Sequence, residues 1–284
     1  MPGITDVPGV EVFGRGRGEY LLPCGFVMPD GKVYKKIVLR ETKGHEEDMM
    51  DDDTVLRSTR ITNVLTACTE QLGPVTDKKQ IEKIISDDMA GAGKGITSTD
   101  RIAAMIFLRR TSVGDIYNFE RRCPRLGCGH VNKGKKLDLK TIKMTVVPDD
   151  RVGKRRVTFV LPRSGKKVTL RVMTAKHEES LLKLRPTQKE LRSAAMCARV
   201  EAIDDDVFSD TSRAMSAVKD LPQQDRNAIR DVYDKIEADV DTTIQIQCDN
   251  PICQAEFEFP LDIGQTFFSN PAGVGVALES LTWL

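Results

Sequence analysis

The feature that most constrains this chain is a pair of cysteine hooks with identical spacing. Cys123 and Cys128 enclose four residues, and so do Cys248 and Cys253. Two to four intervening residues allow two sulfur atoms to converge on one ion, and zinc takes four such ligands in a tetrahedron. The two hooks together therefore predict a single structural metal site, with zinc as the expected ion.

The residues around each hook fit a tight turn that follows a strand. Pro and Gly occupy the first hook, and Asp, Asn and Pro occupy the second. Strand-like runs precede them at 116–119 and 243–247. This is the arrangement of a zinc ribbon. Four cysteine ligands leave no open position for water, so we expect the site to clamp the chain and not to perform chemistry.

Three alternatives to this metal site stay open at the level of sequence. Each hook could close as its own disulfide, or the thiols could be free. His130 could replace one cysteine, although the second hook has no histidine at that place and Glu256 lies near it.

The remaining cysteines do not form a disulfide framework. The total of seven is odd, and the N-terminus has no apolar segment typical of a secretory signal. Reduced thiols in a cytosol are therefore expected. Cys24, Cys68 and Cys197 have no hook partner, and the last two lie in apolar helical runs that are typical of core residues.

Composition narrows the class of protein. The 284 residues suffice for one large domain or two of ordinary size. Lys and Arg number 43 against 42 Asp and Glu, and this balance argues against a protein built to coat nucleic acid. No apolar run approaches the roughly 18–20 residues that cross a bilayer. With 40% apolar but 5% aromatic residues, the core should be mostly aliphatic.

The chain also repeats itself in order. Cys248 lies 125 residues after Cys123, and Cys253 lies 125 residues after Cys128. Four further matches occur in the same order: Phe26–Lys32 with Phe159–Lys166, Leu39-Arg40 with Leu170-Arg171, His45-Glu46-Glu47 with His177-Glu178-Glu179, and Asp100-Arg101 with Asp225-Arg226. Their ordered recurrence predicts a tandem duplication.

The predicted fold class is α+β, with internally duplicated β-hairpin/helix units and a zinc-ribbon-like site of four cysteines that joins the halves. Each half is predicted to contain a hairpin, a capped helix, a connector, a second helix, a cysteine hook and a closing strand. The predicted organisation consists of an extended arm at 1–18, a first repeat at 19–150, a second repeat at 151–270 and a tail at 271–284.

Several local predictions accompany this organisation. Two strands should lie within 20–40 around a turn at Pro29-Asp30-Gly31. A helix is expected over 100–110, capped by Ser98 or Thr99, with an apolar side that includes Ile102. His45 and His177 are interpreted as capping residues at equivalent helix starts, and Asp100 and Asp225 as dipole-favoured acids that open equivalent helices.

Other motifs do not support a catalytic or nucleotide site. The glycine-rich stretch at 14–18 has no strand before it and no helix cap after it, so we interpret it as part of an arm. The stretch at 91–95 lacks the spacing of a phosphate loop, so we interpret it as a linker. The acid runs Asp51–Asp53 and Asp204–Asp206 suggest a metal-dependent hydrolase only weakly, because their carboxylates are consecutive and do not share one face. No nucleophile–base pair accompanies them.

The order of short motifs resembles one known family. The motifs are Leu22-Pro23-Cys24-Gly25, Leu39-Arg40-Glu41-Thr42, Asp100-Arg101, Ser112-Val113-Gly114-Asp115, Phe257–Leu261 and Phe267-Phe268. Over roughly residues 20–270 the chain is similar to the baseplate hub proteins of T4-like contractile phage tails and related injection systems. Its four-residue hook spacing departs from the two residues expected in most zinc ribbons.

The resemblance implies a structural or assembly protein and no enzyme. It implies a place in the virion tail baseplate after assembly in the host cytoplasm, beside other baseplate, hub or tube proteins. No membrane, nucleic acid or small-molecule substrate is expected. In the tail, Trp283 could anchor the chain to a neighbour or cover its own core.

A zinc-ribbon module that binds nucleic acid is the alternative function. A basic middle of the chain supports it, at Arg109-Arg110, Arg121-Arg122, Lys133–Lys136 and Lys154–Arg156. The aromatic residues needed for base stacking are scarce there.

Overall fold

The computed structural model describes residues 18–91, 93–187 and 190–268. Nearly all of the predicted arm at 1–18, and the predicted tail with Trp283, lie outside these residues.

The described residues of the first half form five strands and four α-helices. In chain order they are β1 (Glu19–Val27), β2 (Val33–Leu39), α1 (Gly44–Asp51), α2 (Arg57–Cys68), β3 (Thr69–Leu72), α3 (Lys78–Ile85), α4 (Ser98–Ser112), β4 (Ile116–Arg122) and β5 (Val131–Asp138). The predicted hairpin around Pro29-Asp30-Gly31 is confirmed as β1 and β2.

The second half follows nearly the same order. Its elements are β6 (Arg156–Val160), β7 (Lys167–Arg171), α5 (Ala175–Lys183), α6 (Leu191–Cys197), β8 (Val200–Ile203), β9 (Asp206–Val207), α7 (Thr211–Lys219), α8 (Gln223–Ile236), β10 (Thr243–Gln247), β11 (Glu256–Pro260) and α9 (Gln265–Phe268). Helices and small antiparallel sheets make an α+β fold, as predicted.

Strand registers recur between the halves. β2 pairs with β3, and β7 pairs with β8, in antiparallel ladders that each skip one residue at the same place. Every residue of the second ladder lies 131 positions after its counterpart in the first: Ile37–Leu72, Val38–Gln71 and Leu39–Thr69 correspond to Val168–Ile203, Thr169–Ala202 and Leu170–Val200. The registers favour the duplication, which itself stays a prediction.

Helix α4 begins with a reciprocal cap. Thr97 is the N-cap: its hydroxyl accepts from the Asp100 N–H, and the Asp100 carboxylate accepts from the Thr97 N–H at 3.0 Å. The predicted caps Ser98 and Thr99 are therefore wrong by one or two residues, because both already belong to the helix. The prediction that Ile102 lies on the apolar side of this helix is also wrong, since 38% of the residue is exposed.

The acids that open α4 and α8 also hold the hairpins of their own halves. Asp100 accepts hydrogen bonds from the backbone N–H groups of Cys24 and Gly25 at 2.7 and 3.2 Å. Asp225 accepts from those of Arg163 and Ser164 at 2.7 and 3.0 Å. Both acids are fully buried, so they tie helix to hairpin in addition to facing the helix dipole.

The two matched histidines have different roles. His177 Nδ1 accepts from the Thr174 N–H at 3.2 Å and completes the capping of α5, as predicted. His45 is exposed, and in α1 the neighbouring Glu46 accepts from the Lys43 N–H instead. The prediction of a cap is thus wrong for His45, and Glu46 is the counterpart of His177 at the same separation of 131 residues.

Two main apolar cores organise the described residues. The larger one lies among the elements of the first half, between β1–β3 and α2–α4. The smaller one lies among β6–β8 and α6–α8. The larger core also receives side chains from the C-terminal part of the chain: Val240, Ile244, Leu261, Ile263 and Phe267. The second half therefore helps to complete the core of the first.

A buried arginine joins the halves. Arg101 of α4 donates to Thr62 Oγ1 at 2.8 Å and to the Ser58 carbonyl at 2.7 Å, both on α2. Its Nε lies 3.3 Å from the carboxylate of Glu178 on α5, and α5 packs against α2. This guanidinium therefore has acceptors on α2 and a counter-charge from the second half.

Candidate metal centre

Each cysteine hook is the turn of a two-stranded hairpin. Strands β4 and β5 flank the first hook, and β10 and β11 flank the second, which confirms the strand-like runs predicted from the sequence. The Cys123 N–H donates to the His130 carbonyl at 2.8 Å, and the Cys248 N–H donates to the Ala255 carbonyl at 2.9 Å. Both donors and both acceptors are 125 residues apart.

The second cysteine of each hook closes the turn in the same way. The Cys128 N–H donates to the Arg125 carbonyl at 3.1 Å, and the Cys253 N–H donates to the Asn250 carbonyl at 2.9 Å. Gly129 and Gln254, also 125 residues apart, both have positive φ. The hooks are thus one local structure that occurs twice.

The structure brings all four predicted ligands together. Their Sγ atoms lie within 4.8 Å of one another. Cys123 Sγ lies 3.9 Å from Cys253 Sγ, and Cys128 Sγ lies 3.8 Å from Cys248 Sγ. Four thiolates about 2.3 Å from one zinc ion stand about 3.8 Å apart, so the spacing fits a tetrahedral zinc site.

Polar contacts hold one hook against the other. The side chain of the fully buried Asn132 donates to the Arg121 carbonyl at 2.9 Å and accepts from the Asp249 N–H at 2.7 Å. Lys135 forms an ion pair with Asp249 at 2.6 Å. The two contacts to Asp249 cross between the hairpins, and the bond to Arg121 fixes Asn132 within its own hairpin.

Further contacts touch the ligands themselves. The Arg125 guanidinium donates to the Cys253 carbonyl at 3.2 Å, and the Asn250 amide lies 3.7 Å from Cys128 Sγ. On the side away from the hooks, Phe119 packs edge-on against Phe259 with ring centroids 5.6 Å apart. The site therefore rests on an apolar contact between the hairpins.

The thiols of the cluster differ in acidity. Burial raises the pKa of Cys123 to about 12 and also raises the pKa of Cys248. The Ala255 backbone N–H, which donates to the sulfur of Cys253, lowers the pKa of that thiol to about 7. A bound divalent metal would favour the thiolate form of every ligand, so binding should release protons.

The arrangement bears on the alternatives to a metal site. Every cysteine is free, and the close sulfur pairs join different hooks, so they do not match disulfides closed within each hook. Among the described residues, the candidate metal cluster consists of the four cysteines without His130, whose side chain is exposed.

The acid runs serve turns and ion pairs. Asp52 accepts from the Thr54 N–H at 3.0 Å, and Asp53 pairs with Arg60 at 2.9 Å. Asp204, with a φ of 52°, accepts from the Lys167 N–H at 2.8 Å. Within the described residues, neither run joins a candidate metal cluster.

Part of the basic middle of the chain points inward. Arg109 is buried and donates to the carbonyls of Phe267 and Gly114 at 2.7 and 2.9 Å. Arg155 pairs with Asp87 at 3.4 Å and donates to the Gly95 carbonyl. These two guanidinium groups stabilise the fold and are not displayed to a phosphate backbone.

Gly95 has a packing role in the glycine-rich stretch at 91–95. A Cβ at this position would lie 2.1 Å from the Ile84 carbonyl oxygen. The glycine therefore permits a close approach of two backbone segments, which agrees with the linker interpretation.

Sequence reasoning missed two residues that organise the site and the joint. No motif or spacing comparable to that of the cysteines marks Asn132 in the sequence, and its partner Asp249 lies in the other hook. The sequence singles out Arg101 only as part of a repeated Asp-Arg pair. That recurrence is a signal for Arg101, whereas no sequence signal indicates the burial of Asn132.

Comparison with known proteins identifies the family. The family model described as T4 bacteriophage base plate protein matches residues 30–269, most of the chain. The protein therefore belongs to the T4 bacteriophage base plate protein family, as the motif order predicts. No curated protein and no solved structure matches the chain.

Membership of this family gives the chain a structural role in the virion tail baseplate, in contact with other baseplate proteins. In the part of the chain that the structure describes, no helix has the length and apolar character needed to cross a membrane.

Proposed function

We propose that the protein is a non-enzymatic structural or assembly component of the hub of a contractile tail baseplate, made rigid by one structural zinc ion. The observation that carries this proposal is the meeting of Cys123, Cys128, Cys248 and Cys253 from both halves of a chain that belongs to a baseplate family.

Zinc suits this donor set. Four thiolates in tetrahedral array are typical of zinc or iron sites, and zinc adds no redox chemistry. Four protein ligands leave no coordination position for water or substrate, so the ion would hold the two hairpins together without catalysis.

The site would fix the end of the second half to the first. Hairpin β10–β11 follows the smaller core in the chain but contributes Ile244 and Leu261 to the larger core. A metal shared between this hairpin and β4–β5 closes the chain across more than a hundred residues. Such a closure makes one rigid body from many short elements.

The expected partners are other baseplate, hub or tube proteins, and assembly would occur in the host cytoplasm. No nucleic acid, membrane or small-molecule substrate is expected.

The proposal is tested on purified protein and purified particles. Metal analysis should find one zinc per chain in the wild type and little in a Cys123→Ser/Cys248→Ser variant. Cys197→Ala, which removes a buried cysteine outside the site, should keep full metal content. Full zinc loading of the double serine variant would contradict the shared site.

Mass spectrometry of purified tails should detect the chain at a fixed ratio to other baseplate proteins. Its absence from mature tails, with presence in assembly intermediates, would leave only a transient assembly role. Binding of nucleic acid in a filter-binding assay, with a steep salt dependence, would instead favour the alternative function.

A further inference from the structure

The first half of the molecule receives a helix from the second half. Helix α5 packs against α2, and Glu178, the fourth residue of α5, supplies the carboxylate for buried Arg101. The side chain of Arg101 is 1% exposed and that of Glu178 is 22% exposed, so this ion pair is largely removed from water.

The second half carries the counterpart of this arginine without the acid. Arg226 follows Asp225 at the start of α8, as Arg101 follows Asp100 in α4, and each acid binds two hairpin amides. The Nε atoms of Arg226 and, one turn later, of Arg230 are buried without a hydrogen-bond partner, as is that of Arg101; the difference is that Arg101 has an ion pair with Glu178 at 3.3 Å.

No carboxylate among the described residues pairs with either arginine. The terminal nitrogens of Arg226 and Arg230 donate only to neutral side chains of their own helix, Gln223 and Asn227. Lys219 adds a third positive charge, since all three cations act on the buried thiol of Cys197. This cationic face is defined by Lys219, Arg226 and Arg230. Lys219 interacts with the carboxylate of Glu190, whereas the two arginines lack the carboxylate partner that Arg101 has.

Helix α1 carries a carboxylate in the matching place. Glu47 is the fourth residue of α1, as Glu178 is of α5, and the two lie 131 residues apart, the separation found for the strand ladders. Glu47 is exposed, whereas the adjacent Glu46 is buried against Arg40 at 2.7 Å. Glu47 is therefore presented to solvent on a helix that is already fixed to its own sheet.

From this correspondence we propose that the cationic face of one molecule binds helix α1 of a second copy, with Glu47 beside Arg226 and Arg230. The contact repeats between molecules the packing of α5 on the first half within one molecule. Where two molecules share only one such contact, the arrangement is head-to-tail and each copy can bind two others; a two-fold pair would instead make both contacts at once. It goes beyond the proposed function and does not depend on the metal site.

Charge complementarity favours a second copy as the occupant. Helix α1 and the residues after it carry Asp48, Asp51, Asp52 and Asp53, all exposed, opposite the three cations of the receiving face. An incoming carboxylate would supply a counter-charge to the parts of Arg226 and Arg230 that stay accessible to solvent. A head-to-tail contact forms a ring where its rotation closes and a filament where it does not.

Sedimentation velocity over a range of concentrations tests this contact on the full-length protein. The wild type should associate as concentration rises. Glu47→Arg alone and Arg226→Glu/Arg230→Glu should each weaken association at least about tenfold, because like charges then face each other. A monomeric wild type at all concentrations, or unchanged association in both variants, would overturn the proposal.

Mixing the two variants provides the decisive experiment. The intact cationic face of Glu47→Arg can bind the intact α1 of Arg226→Glu/Arg230→Glu, so the mixture should associate although neither variant does so alone. Continued failure of the mixture, with both variants folded by circular dichroism and fully loaded with zinc, would contradict a head-to-tail contact. Arg122→Glu/Lys133→Glu, an equal charge change elsewhere, should associate like the wild type.

Discussion

The two halves of the molecule have nearly the same order of elements, but their apolar cores differ in size and in the elements that contribute to them. In the first half, α2 packs against α1, α3, α4 and α5, and the core also receives β10, β11 and α9. In the second half, α6 packs mainly against α7, and the core is smaller. Parts of the second half thus complete the core of the first, whereas among the described residues the smaller core contains no side chain from the first half.

This difference separates two kinds of correspondence. Local structures such as the hooks and the β2–β3 and β7–β8 ladders are alike in both halves, because their own hydrogen bonds determine them. The surroundings of Arg101 and Arg226 differ, because they depend on which element packs alongside. Matched sequence therefore indicates matched local form but leaves the tertiary partner open.

Metal removal should have the largest effect and should act more on the two hook hairpins than on the smaller core of the second half. Chelation is expected to lower the free energy of unfolding by up to roughly 10 kcal/mol, the contribution typical of a structural zinc. Amide hydrogen exchange should speed up in β4–β5 and β10–β11 but little in β7–β8. An equal loss of protection in β7–β8 would contradict this distinction, and the Cys197→Ala protein serves as the control with an intact site.

Loss of the acid that joins the halves should have the next largest effect. Glu178→Ala leaves the buried Arg101 without its carboxylate and should cost about 3 kcal/mol in urea unfolding. Glu179→Ala, next to it on α5, removes only an exposed pair with Lys183 and should cost less than about 1 kcal/mol. Similar losses in both variants would show that α5 does not depend on this ion pair.

The histidine at the start of α5 should make stability depend on pH. Burial lowers the pKa of His177 to about 4, so folding favours the neutral ring. Its contribution is complete above the unfolded pKa of about 6.5 and is lost as pH falls toward 4, about 2 kcal/mol between pH 7 and pH 5.

Unfolding measured across this range should lose that slope in His177→Asn. In His45→Asn the slope should persist, because its source is untouched. A slope that survives in His177→Asn would assign the pH dependence to other groups.

The smallest effect is expected at the contact between hooks. Asn132→Ala removes the side chain that bridges Arg121 and Asp249 and should cost about 1–2 kcal/mol. Lys133→Ala, an exposed neighbour, should be nearly neutral. Phe257 stands at the corresponding place in the second hook and has no polar side chain that could form such a bridge. A loss of stability in Asn132→Ala but not in Lys133→Ala would therefore show that the two hooks contribute unequally to the contact between them.

The sequence predicted the parts of the molecule that short-range physics determines. Cysteine spacing indicated the four thiols that the structure brings together, and the Pro-Asp-Gly turn indicated the first hairpin. The cap of α4 was misplaced by one or two residues, because Thr97, Ser98 and Thr99 all have side chains that can cap and only packing selects one.

Long-range features could not be predicted from the sequence in the same way. Ile102 fits an apolar helical pattern yet faces solvent, and buried Arg109 lies in a run that looks like a basic patch. Both depend on which elements pack around α4. The cysteine spacing predicted that the two hook hairpins meet, but it did not show that β10–β11 adds side chains to the larger core.

The most direct test of the account is X-ray absorption at the zinc edge of the purified protein, with zinc counted per chain. The account predicts one zinc per chain with four sulfur neighbours at about 2.3 Å, two from each half. Absence of zinc, or a first shell that contains nitrogen or oxygen, would contradict the claim that the two hooks share one closed site.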